Sequence, residues 1–362
     1  MTVNNKKIHS KILYNFFLLL ASIIFFFSTT KVLGKAFNVD DIEISRPFEI
    51  NFDKNDVIDD GFRKAFFHLI SIILNSTDQK KINKIKLNEI KGMIESFSIK
   101  EEKFINEIYH LSIGVAFNKK KVFKYLEIEN IFPSIPVKNK FLFIPIIIDE
   151  NERDLLIFNK NKIYNKWNED KAKSELIEYI LPTEDLEDIN LIKNKFDIIE
   201  QYNFKEITDK YYLEDSIISL IFKNEKEVRV LSRITVNENV VIKNQSFSNI
   251  DMNDDRKIED IIKDLKIIYE DYWKNYNKIN TSIKLSLTIK VNTLNNFKIS
   301  NFEKILSETD LIYDFTISKF NKDFIYYQVT FNGTPNFFLK TMKNNNFNFN
   351  TQNKIWILEW VI

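Results

Sequence analysis

Four carboxylates follow Pro182 in the sequence Glu184-Asp185-Leu-Glu187-Asp188, and they are the side chains whose type and spacing best suit chemistry. Paired carboxylates such as Asp185 and Asp188 can act as general acid and base when a fold holds them several ångströms apart and shifts one pKa. Acidic residues at the start of a helix also cap it and interact favourably with its dipole. Asp185 and Asp188 are therefore candidate catalytic residues, although the pattern favours helix capping because capping needs no further partner.

Two aromatic residues, Tyr164 and Trp167, form a second candidate site in the same half of the chain. Aromatic side chains often anchor the centre of a protein interface, so both are candidate binding residues. The same residue types are also common in protein cores. The sequence leaves both roles open.

The composition disfavours most cofactor and metal chemistry. Of the three histidines, His68 and His110 have no second histidine or spaced carboxylate pair nearby, which indicates surface or boundary positions rather than ligands. The five glycines are isolated from one another, so no phosphate-cradling loop or dinucleotide motif is present. The absence of cysteine excludes disulfides, thiolate nucleophiles and cysteine-ligated metals. We predict neither a cofactor nor a metal site.

The charge balance argues against nucleic acid as a partner. The chain carries 52 Lys and Arg against 51 Asp and Glu, so there is no net field to attract a polyanion. The chain of 362 residues, with 44% hydrophobic residues, has enough material for two or three globular domains.

The N-terminal residues 1–36 have the order of an export segment. Lys6, Lys7 and Lys11 precede an apolar run from Ile12 to Phe27, and Gly34 and Ala36 lie at suitable positions before a cleavage site. The run is shorter than the ~20 residues of a comfortable transmembrane helix, so a cleaved signal and an uncleaved signal anchor are both open, with cleavage favoured. A buried core helix is the third and least favoured interpretation, because an all-round apolar segment at the chain start rarely has that role. The lysines predict that everything after the segment lies outside the cytoplasm.

After this segment the patterns predict an α+β protein made of tandem small mixed α/β domains. A helix with Asp59 or Asp60 as its N-cap is expected to bury the face that includes Phe62 and Phe66, and the alternation from Tyr109 to Phe117 predicts a half-buried strand. The predicted organisation is an N-terminal domain over 37–138, a middle mixed α/β domain over 139–250, a connecting helix over 251–278 and a C-terminal domain over 279–362.

The middle domain opens on the continuous apolar run 141–148, which predicts a strand buried on both faces. Pro145 within this run favours a sheet edge or a strand end. We expect helices over 169–179 and 185–201, followed by strands over 217–223 and 228–236.

The C-terminal domain gives the clearest fold signal. Three alternating segments, around Ile283–Val291, Leu311–Ile317 and Ile325–Phe331, are separated by one helical pattern and one turn. A helix beginning at Pro335 and a closing strand over Trp356–Trp360 complete the order βαββαβ, which is the ferredoxin-like split motif.

With these elements placed, residues 37–360 resemble the domain of unknown function 2066 family of uncharacterised bacterial envelope proteins. The features that carry the resemblance are Phe37-Asn-Val39, the helix Asp60–Asn75, Glu101–Tyr109, Ile144-Pro145, Tyr164–Trp167, Ile180–Asp188, Gly333–Leu339 and Trp356–Leu358. The resemblance implies an exported location and a multi-domain α/β architecture, and it implies no activity.

No motif in the sequence spells out a reaction. The sequence therefore predicts a non-catalytic cell-envelope protein that binds another protein or a cell-wall component, either periplasmic or held to the inner membrane by its N-terminal segment. The alternative is a carboxylate-dependent envelope hydrolase that uses Asp185 and Asp188. No pattern indicates an oligomeric state.

Overall fold

A computed structural model of the protein describes residues 37–169, 176–224, 227–248 and 250–359. The predicted export signal or signal anchor lies outside these residues. Among the described residues, no helix is long and apolar enough to cross a membrane. The described chain forms three separate sheets, each with helices packed on it, which confirms the predicted α+β class.

The N-terminal domain has a three-stranded antiparallel sheet with strand order β1-β3-β2. Its strands are β1 (Asn38–Pro47), β2 (Ile94–Ile105) and β3 (Ile108–Phe117), and its helices are α1 (Lys54–Ile73), α2 (Ser76–Lys81), α3 (Leu87–Met93) and α4 (Lys119–Ile128). Helix α1 confirms the predicted core helix but begins before the predicted caps, because Asp53 accepts a hydrogen bond from the N–H of Asn55. The other face of the sheet carries His110, which is partly buried, and β2 is exposed along almost its whole length.

The middle domain has a six-stranded sheet whose main order is β5-β4-β7-β8-β9, with β6 also paired to β4. Its strands are β4 (Asn139–Asp149), β5 (Asp154–Leu156), β6 (Ile177–Ile180), β7 (Ser216–Lys223), β8 (Glu227–Val236) and β9 (Asn239–Ser248). Its helices are α5 (Lys162–Lys166), α6 (Leu186–Lys193), α7 (Lys205–Thr208) and α8 (Asp255–Tyr276).

Strand β4 is buried on both faces, as its continuous apolar run predicts. Phe141 and Phe143 belong to one core beneath α8, whereas Leu142 and Ile144 belong to a second core on the opposite face. The sheet therefore separates two hydrophobic layers.

Pro145 lies in the body of β4 rather than at a sheet edge or a strand end. One side of β4 is shared by two short strands, since β6 pairs with residues 139–142 and β5 with residues 147–149. In the gap between them, the side-chain amide of Asn161 donates to the Pro145 carbonyl at 2.9 Å. Because neither β5 nor β6 pairs with residue 145, this position accommodates proline, which has no N–H to donate to a neighbouring strand.

Two of the predicted helices in this domain differ from the structure. The helix predicted over 169–179 is wrong at its C-terminal end, where β6 pairs with β4 in parallel. The helix predicted over 185–201 ends as α6 at Lys193, and a short 3-10 turn follows at Phe196–Ile198. The long helix expected after 251 is confirmed as α8, which buries Ile258, Ile262 and Leu265 against the sheet.

The C-terminal domain confirms the order βαββαβ with one additional strand. Its elements are β10 (Lys284–Asn292), α9 (Asn296–Glu308), β11 (Ile312–Phe320), β12 (Phe324–Asn332), α10 (Pro335–Lys343), β13 (Asn348–Asn350) and β14 (Ile355–Glu359). The sheet order is β11-β12-β10-β14-β13. The chain from α10 enters the outer strand β13 and then turns back, so that β14 lies parallel to β10.

Hydrogen bonds across the connecting segments hold the three domains together. The N–H of Ser134 donates to the Ile73 carbonyl at 2.7 Å, and the N–H of Ile279 donates to the Pro133 carbonyl at 2.9 Å. The Lys119 ammonium donates to the Thr309 carbonyl at 2.8 Å, and burial lowers its pKa. The described residues belong to one compact unit.

Candidate functional site

Asp185 is the N-cap of α6. Its Oδ1 accepts a hydrogen bond from the N–H of Glu187 at 2.8 Å, and its Oδ2 lies 3.1 Å from the Lys210 ammonium. The Glu187 N–H and the Lys210 ammonium hold the pKa of the Asp185 carboxyl below its usual range. This carboxylate has the position and the bonds of a helix cap.

Asp188 lies one turn further along α6 and is only 1% exposed. Its Oδ1 accepts a hydrogen bond from the same Lys210 ammonium at 2.6 Å. The hydrogen bonds to Asp188 and Asp185 raise the pKa of Lys210 above its ordinary value. One lysine therefore pairs with both candidate carboxylates, and the three side chains keep a net charge of −1.

The arrangement of these three charges limits what they can do. A general acid needs a pKa raised towards the working pH, whereas that of Asp185 is lowered. Asp188 is closed off from solvent. The geometry suits capping and ion pairing, and it anchors the segment around Lys210 to α6.

Tyr164 lies next to this cluster. Its hydroxyl donates to the Pro182 carbonyl at 2.7 Å, and the Tyr211 hydroxyl accepts a hydrogen bond from the N–H of Thr183 at 3.0 Å. Burial raises the pKa of Tyr164. The structure thus brings Tyr164, Asp185 and Asp188 into one region, where Tyr164 braces the chain that leads into α6.

Trp167 faces the opposite core. Its side chain is fully buried, and its ring stacks on Phe143 with the ring centroids 3.9 Å apart. Tyr179 and Tyr269 contact the same ring. Trp167 is a core residue in this structure and is not placed to anchor a partner.

A cleft of about 1070 Å³ lies on the same side of the middle sheet as the carboxylate cluster. One wall is the sheet itself, where Ile218, Arg233 and Val240 come from the adjacent strands β7, β8 and β9. The other wall is the segment that contains α7 and extends from Gln201 to Glu214. Helices leave this part of the sheet uncovered, and the cleft is the result.

Arg233 is half-buried in the wall of the cleft. Its guanidinium donates to the carbonyls of Tyr202 at 2.5 Å and Glu200 at 2.7 Å. A guanidinium has five N–H donors, and among the described residues only these two carbonyls accept from it. Burial lowers the pKa of Arg233, and no carboxylate in the described part of the chain forms an ion pair with it.

Arg229 provides a comparison on the same strand, four residues earlier and on the same face. It forms an ion pair with Glu200 at 3.1 Å and stacks on Phe222. Glu200 compensates the charge of Arg229, whereas Arg233 has no such ion pair among the described residues. Arg233 is therefore the group in the cleft best prepared to receive an anion.

The cluster and the cleft share one piece of chain. The segment from Gln201 to Glu214 forms a wall of the cleft, and Lys210 ties that segment to Asp185 and Asp188. The hydrogen bonds of Arg233 hold the beginning of the same segment. Asp185 and Asp188 thus hold one wall of the cleft in place through Lys210, and they do not line the cleft themselves.

Lys210 and Arg233 are the two residues of this region that sequence patterns did not indicate. Lys210 is 22 residues from Asp188, so no local spacing connects them. One feature of the sequence could have pointed to Arg233. It is an arginine within a mostly apolar strand, in a chain whose basic residues are mostly lysine.

His68 and His110 are both partly buried, in keeping with the surface or boundary positions that the sequence predicts for them. His110 Nδ1 lies 2.8 Å from the Ser45 hydroxyl on the open face of the N-terminal sheet. Among the described residues, no group of three or more His, Asp or Glu side chains is arranged to hold a metal ion.

The chain matches no protein-family model and no curated protein. The resemblance to the domain of unknown function 2066 family stays a prediction.

Proposed function

We propose that this protein is a non-catalytic cell-envelope protein whose middle domain binds an anionic group of another envelope protein or of a cell-wall component. The observation that supports the proposal is Arg233, a half-buried guanidinium in a cleft of about 1070 Å³ with no carboxylate partner among the described residues. Such a group favours a carboxylate or phosphate that arrives with a ligand.

The other side chains of the cleft narrow the class of ligand. Lys205 adds a second positive charge, whereas Asp209, Glu214 and Glu238 are acidic. A purely anionic polymer would meet repulsion here, while a peptide carries carboxylates together with amide or ammonium groups. We therefore propose a peptide segment as the ligand, either from a partner protein or from the cell wall.

Strand β9 supports an extended peptide at this position. It is the edge strand of the sheet, and Val240 and Ile242 are exposed at the start of it. The outward N–H and C=O groups of an edge strand can pair with a peptide in β-strand form. The edge would hold the peptide backbone while Arg233 binds its carboxylate.

The export proposal rests on the N-terminal residues 1–36 and on the absence of cysteine. We propose that the chain reaches the periplasm and is either released or held to the inner membrane by that segment. Mass spectrometry of the mature N-terminus decides between the two forms.

Affinity capture from crosslinked cells tests the binding proposal, with Arg233→Gln as the variant and Arg229→Gln as the matched control. A charge-assisted hydrogen bond contributes about 1.5–3 kcal/mol, so Arg233→Gln should lower partner recovery roughly tenfold or more. Arg229→Gln should leave recovery unchanged because Glu200 already compensates that charge. Equal recovery by the two variants would reject the cleft as the binding site.

The rival hydrolase has one supporting observation. Asp188 Oδ2 and the Tyr202 hydroxyl are buried without a hydrogen-bond partner among the described residues, and unpaired buried polar groups occur at catalytic sites. If these carboxylates are catalytic, the double variant Asp185→Asn/Asp188→Asn should fail to complement a deletion strain. Full complementation of a deletion strain by the folded double variant would rule the hydrolase out.

A further inference from the structure

Three apolar side chains project from one end of the C-terminal domain. Leu294 is 89% exposed, Phe297 is 82% exposed and Phe320 is 77% exposed. Large apolar side chains are rarely so exposed together unless they meet a partner or a membrane. We call this end of the domain, with the lysines described below, the lysine-bordered tip.

Hydrogen bonds hold the loops of the tip side by side. The N–H of Thr293 donates to the Asp323 carbonyl at 3.0 Å, and its hydroxyl donates to the Lys322 carbonyl at 2.7 Å. Phe320 pairs with Ile325, which in turn pairs with Val291 on β10. The segments that carry the three exposed side chains therefore lie at the same end of the domain, where hydrogen bonds hold the two loops together.

The border of the tip is positively charged. Residues 290–298 and 317–325 contain Lys290, Lys298, Lys319 and Lys322 and one acidic residue, Asp323. Lys319 and Lys322 are exposed, and neither ammonium pairs with a carboxylate in the described part of the chain. This local excess stands out in a chain whose formal net charge is +1.

The N-terminal domain has an apolar tip of its own with the opposite border. Phe48, Ile50 and Phe104 are exposed there, and Phe48 contacts Phe104 with the ring centroids 5.1 Å apart. The acidic residues Glu49 and Glu107 flank them. We call this surface the acid-bordered tip.

We propose that the lysine-bordered tip docks on the surface of a bilayer that contains anionic lipids. Its lysines complement phosphate headgroups, and its projecting Leu and Phe side chains can enter the interface between headgroups and acyl chains. The acid-bordered tip, which anionic lipids repel, stays in water. Docking on lipid is separate from ligand binding at Arg233, which lies in another domain.

A second copy of the chain is the competing occupant, because the acid-bordered tip has complementary charge. Both tips project, as the exposure of Leu294 and Ile50 shows. Two projecting tips would touch over few side chains, whereas a stable protein interface buries about 800 Å² on each partner. A fluid bilayer closes around a projecting side chain without needing a matching pocket.

The cysteine-free sequence allows a direct test on the full chain. Asn296 and Asn51 are exposed and adjoin Phe297 and Ile50, respectively. Asn296→Cys and Asn51→Cys are each labelled with an environment-sensitive fluorophore. The full-length protein is reconstituted in vesicles of phosphatidylcholine, with or without phosphatidylglycerol, and quenching by brominated lipid is measured.

We expect quenching of the Asn296 label in phosphatidylglycerol vesicles and none of the Asn51 label. Each lysine contributes roughly fivefold to binding at an anionic surface, so Lys319→Gln/Lys322→Gln should reduce the docked fraction severalfold. Leu294→Ser/Phe297→Ser should abolish quenching while leaving the charge in place. These exposed positions tolerate substitution without unfolding.

Three results would overturn the proposal. The first is an unquenched Asn296 label in phosphatidylglycerol vesicles, and the second is equal quenching of both labels. The third is a spectral shift of the Asn296 label that needs no vesicles and grows with protein concentration, which would identify a second copy as the occupant.

Discussion

The two faces of the middle sheet differ in how completely they are covered. Helix α8 closes one face over a core that contains Trp167 and Tyr269. The opposite face is covered by α6 and the segment around it at one end, and over β7, β8 and β9 it opens into the cleft that contains Arg233.

Polar groups on the two faces follow the same division. On the closed face, the Tyr269 hydroxyl lies 2.6 Å from the Ser219 hydroxyl and 2.7 Å from that of Ser232, so these groups bond to one another. On the open face, Asp185 and Asp188 also bond to a side chain of their own chain, Lys210, but Arg233 keeps donors for an outside acceptor. Conspicuous charges can thus be structural, whereas a charge without a partner in the described chain is available to a ligand.

Truncation of the closed face should have the largest effect on stability. Trp167→Ala removes a fully buried ring and should lower the free energy of unfolding by about 3–5 kcal/mol. Urea denaturation measures the loss. If Trp167 anchored a partner instead, the variant would keep its stability and lose partner recovery.

Removal of the buried hydroxyl should have a smaller effect. Tyr269→Phe leaves two buried serine hydroxyls with a poorer set of partners, and it should cost about 1–3 kcal/mol. Burial raises the pKa of Tyr269 to about 12, so this hydroxyl stays neutral across the usual pH range. A variant as stable as the native chain would show that the network contributes nothing to the closed face.

The open face should be the more sensitive of the two to acid. Because the pKa of Asp185 is lowered in the folded state, its contribution is present above the ordinary pKa and is lost as pH falls below about 4. Asp185→Ser keeps a capping oxygen and removes the charge. Its denaturation midpoint should therefore change less between pH 5 and pH 3 than that of the native chain. An equal change of the midpoint in the variant and the native chain would exclude Asp185 as a source of acid sensitivity.

Arg233→Gln should have the smallest effect on stability. Burial disfavours the charged form of the guanidinium, so removal of the charge relieves part of that cost. The glutamine amide can still donate to one of the two carbonyls. The urea midpoint should stay close to that of the native chain, which leaves loss of binding as the main consequence. A large loss of stability would show that Arg233 serves mainly to hold the segment from Gln201 to Glu214.

Local patterns predicted the elements that bury one regular face. Alternation gave β3, β10 and β12, and helical spacing gave α1 and α8, because each of these elements packs a periodic face on its own core. Strands β2 and β9 were missed since both are largely exposed, and their side chains carry little periodic signal. β6 was taken for helix because only four residues form it, and its partner β4 lies far away in the sequence.

The candidate site was predictable only in part. Tyr164, Asp185 and Asp188 lie together, as a site requires, but their bonds to Pro182, Glu187 and Lys210 could be seen only in the fold. Arg233 is available to a ligand because none of the described carboxylates, including Asp209, Glu214 and Glu238 of the same cleft, forms an ion pair with it. An absence of that kind is a property of three-dimensional packing rather than of sequence spacing.

Site-specific crosslinking can show whether the open face of the middle sheet binds a partner through Arg233. A photoreactive amino acid is placed at Thr235 in the cleft, and in a control chain at Asp264, which is exposed on α8. We predict covalent capture of a partner protein or cell-wall peptide from Thr235 but not from Asp264, and its loss when Arg233→Gln is added. Equal capture from both positions, or capture from Thr235 that survives Arg233→Gln, would show that the open face does not bind a partner through Arg233.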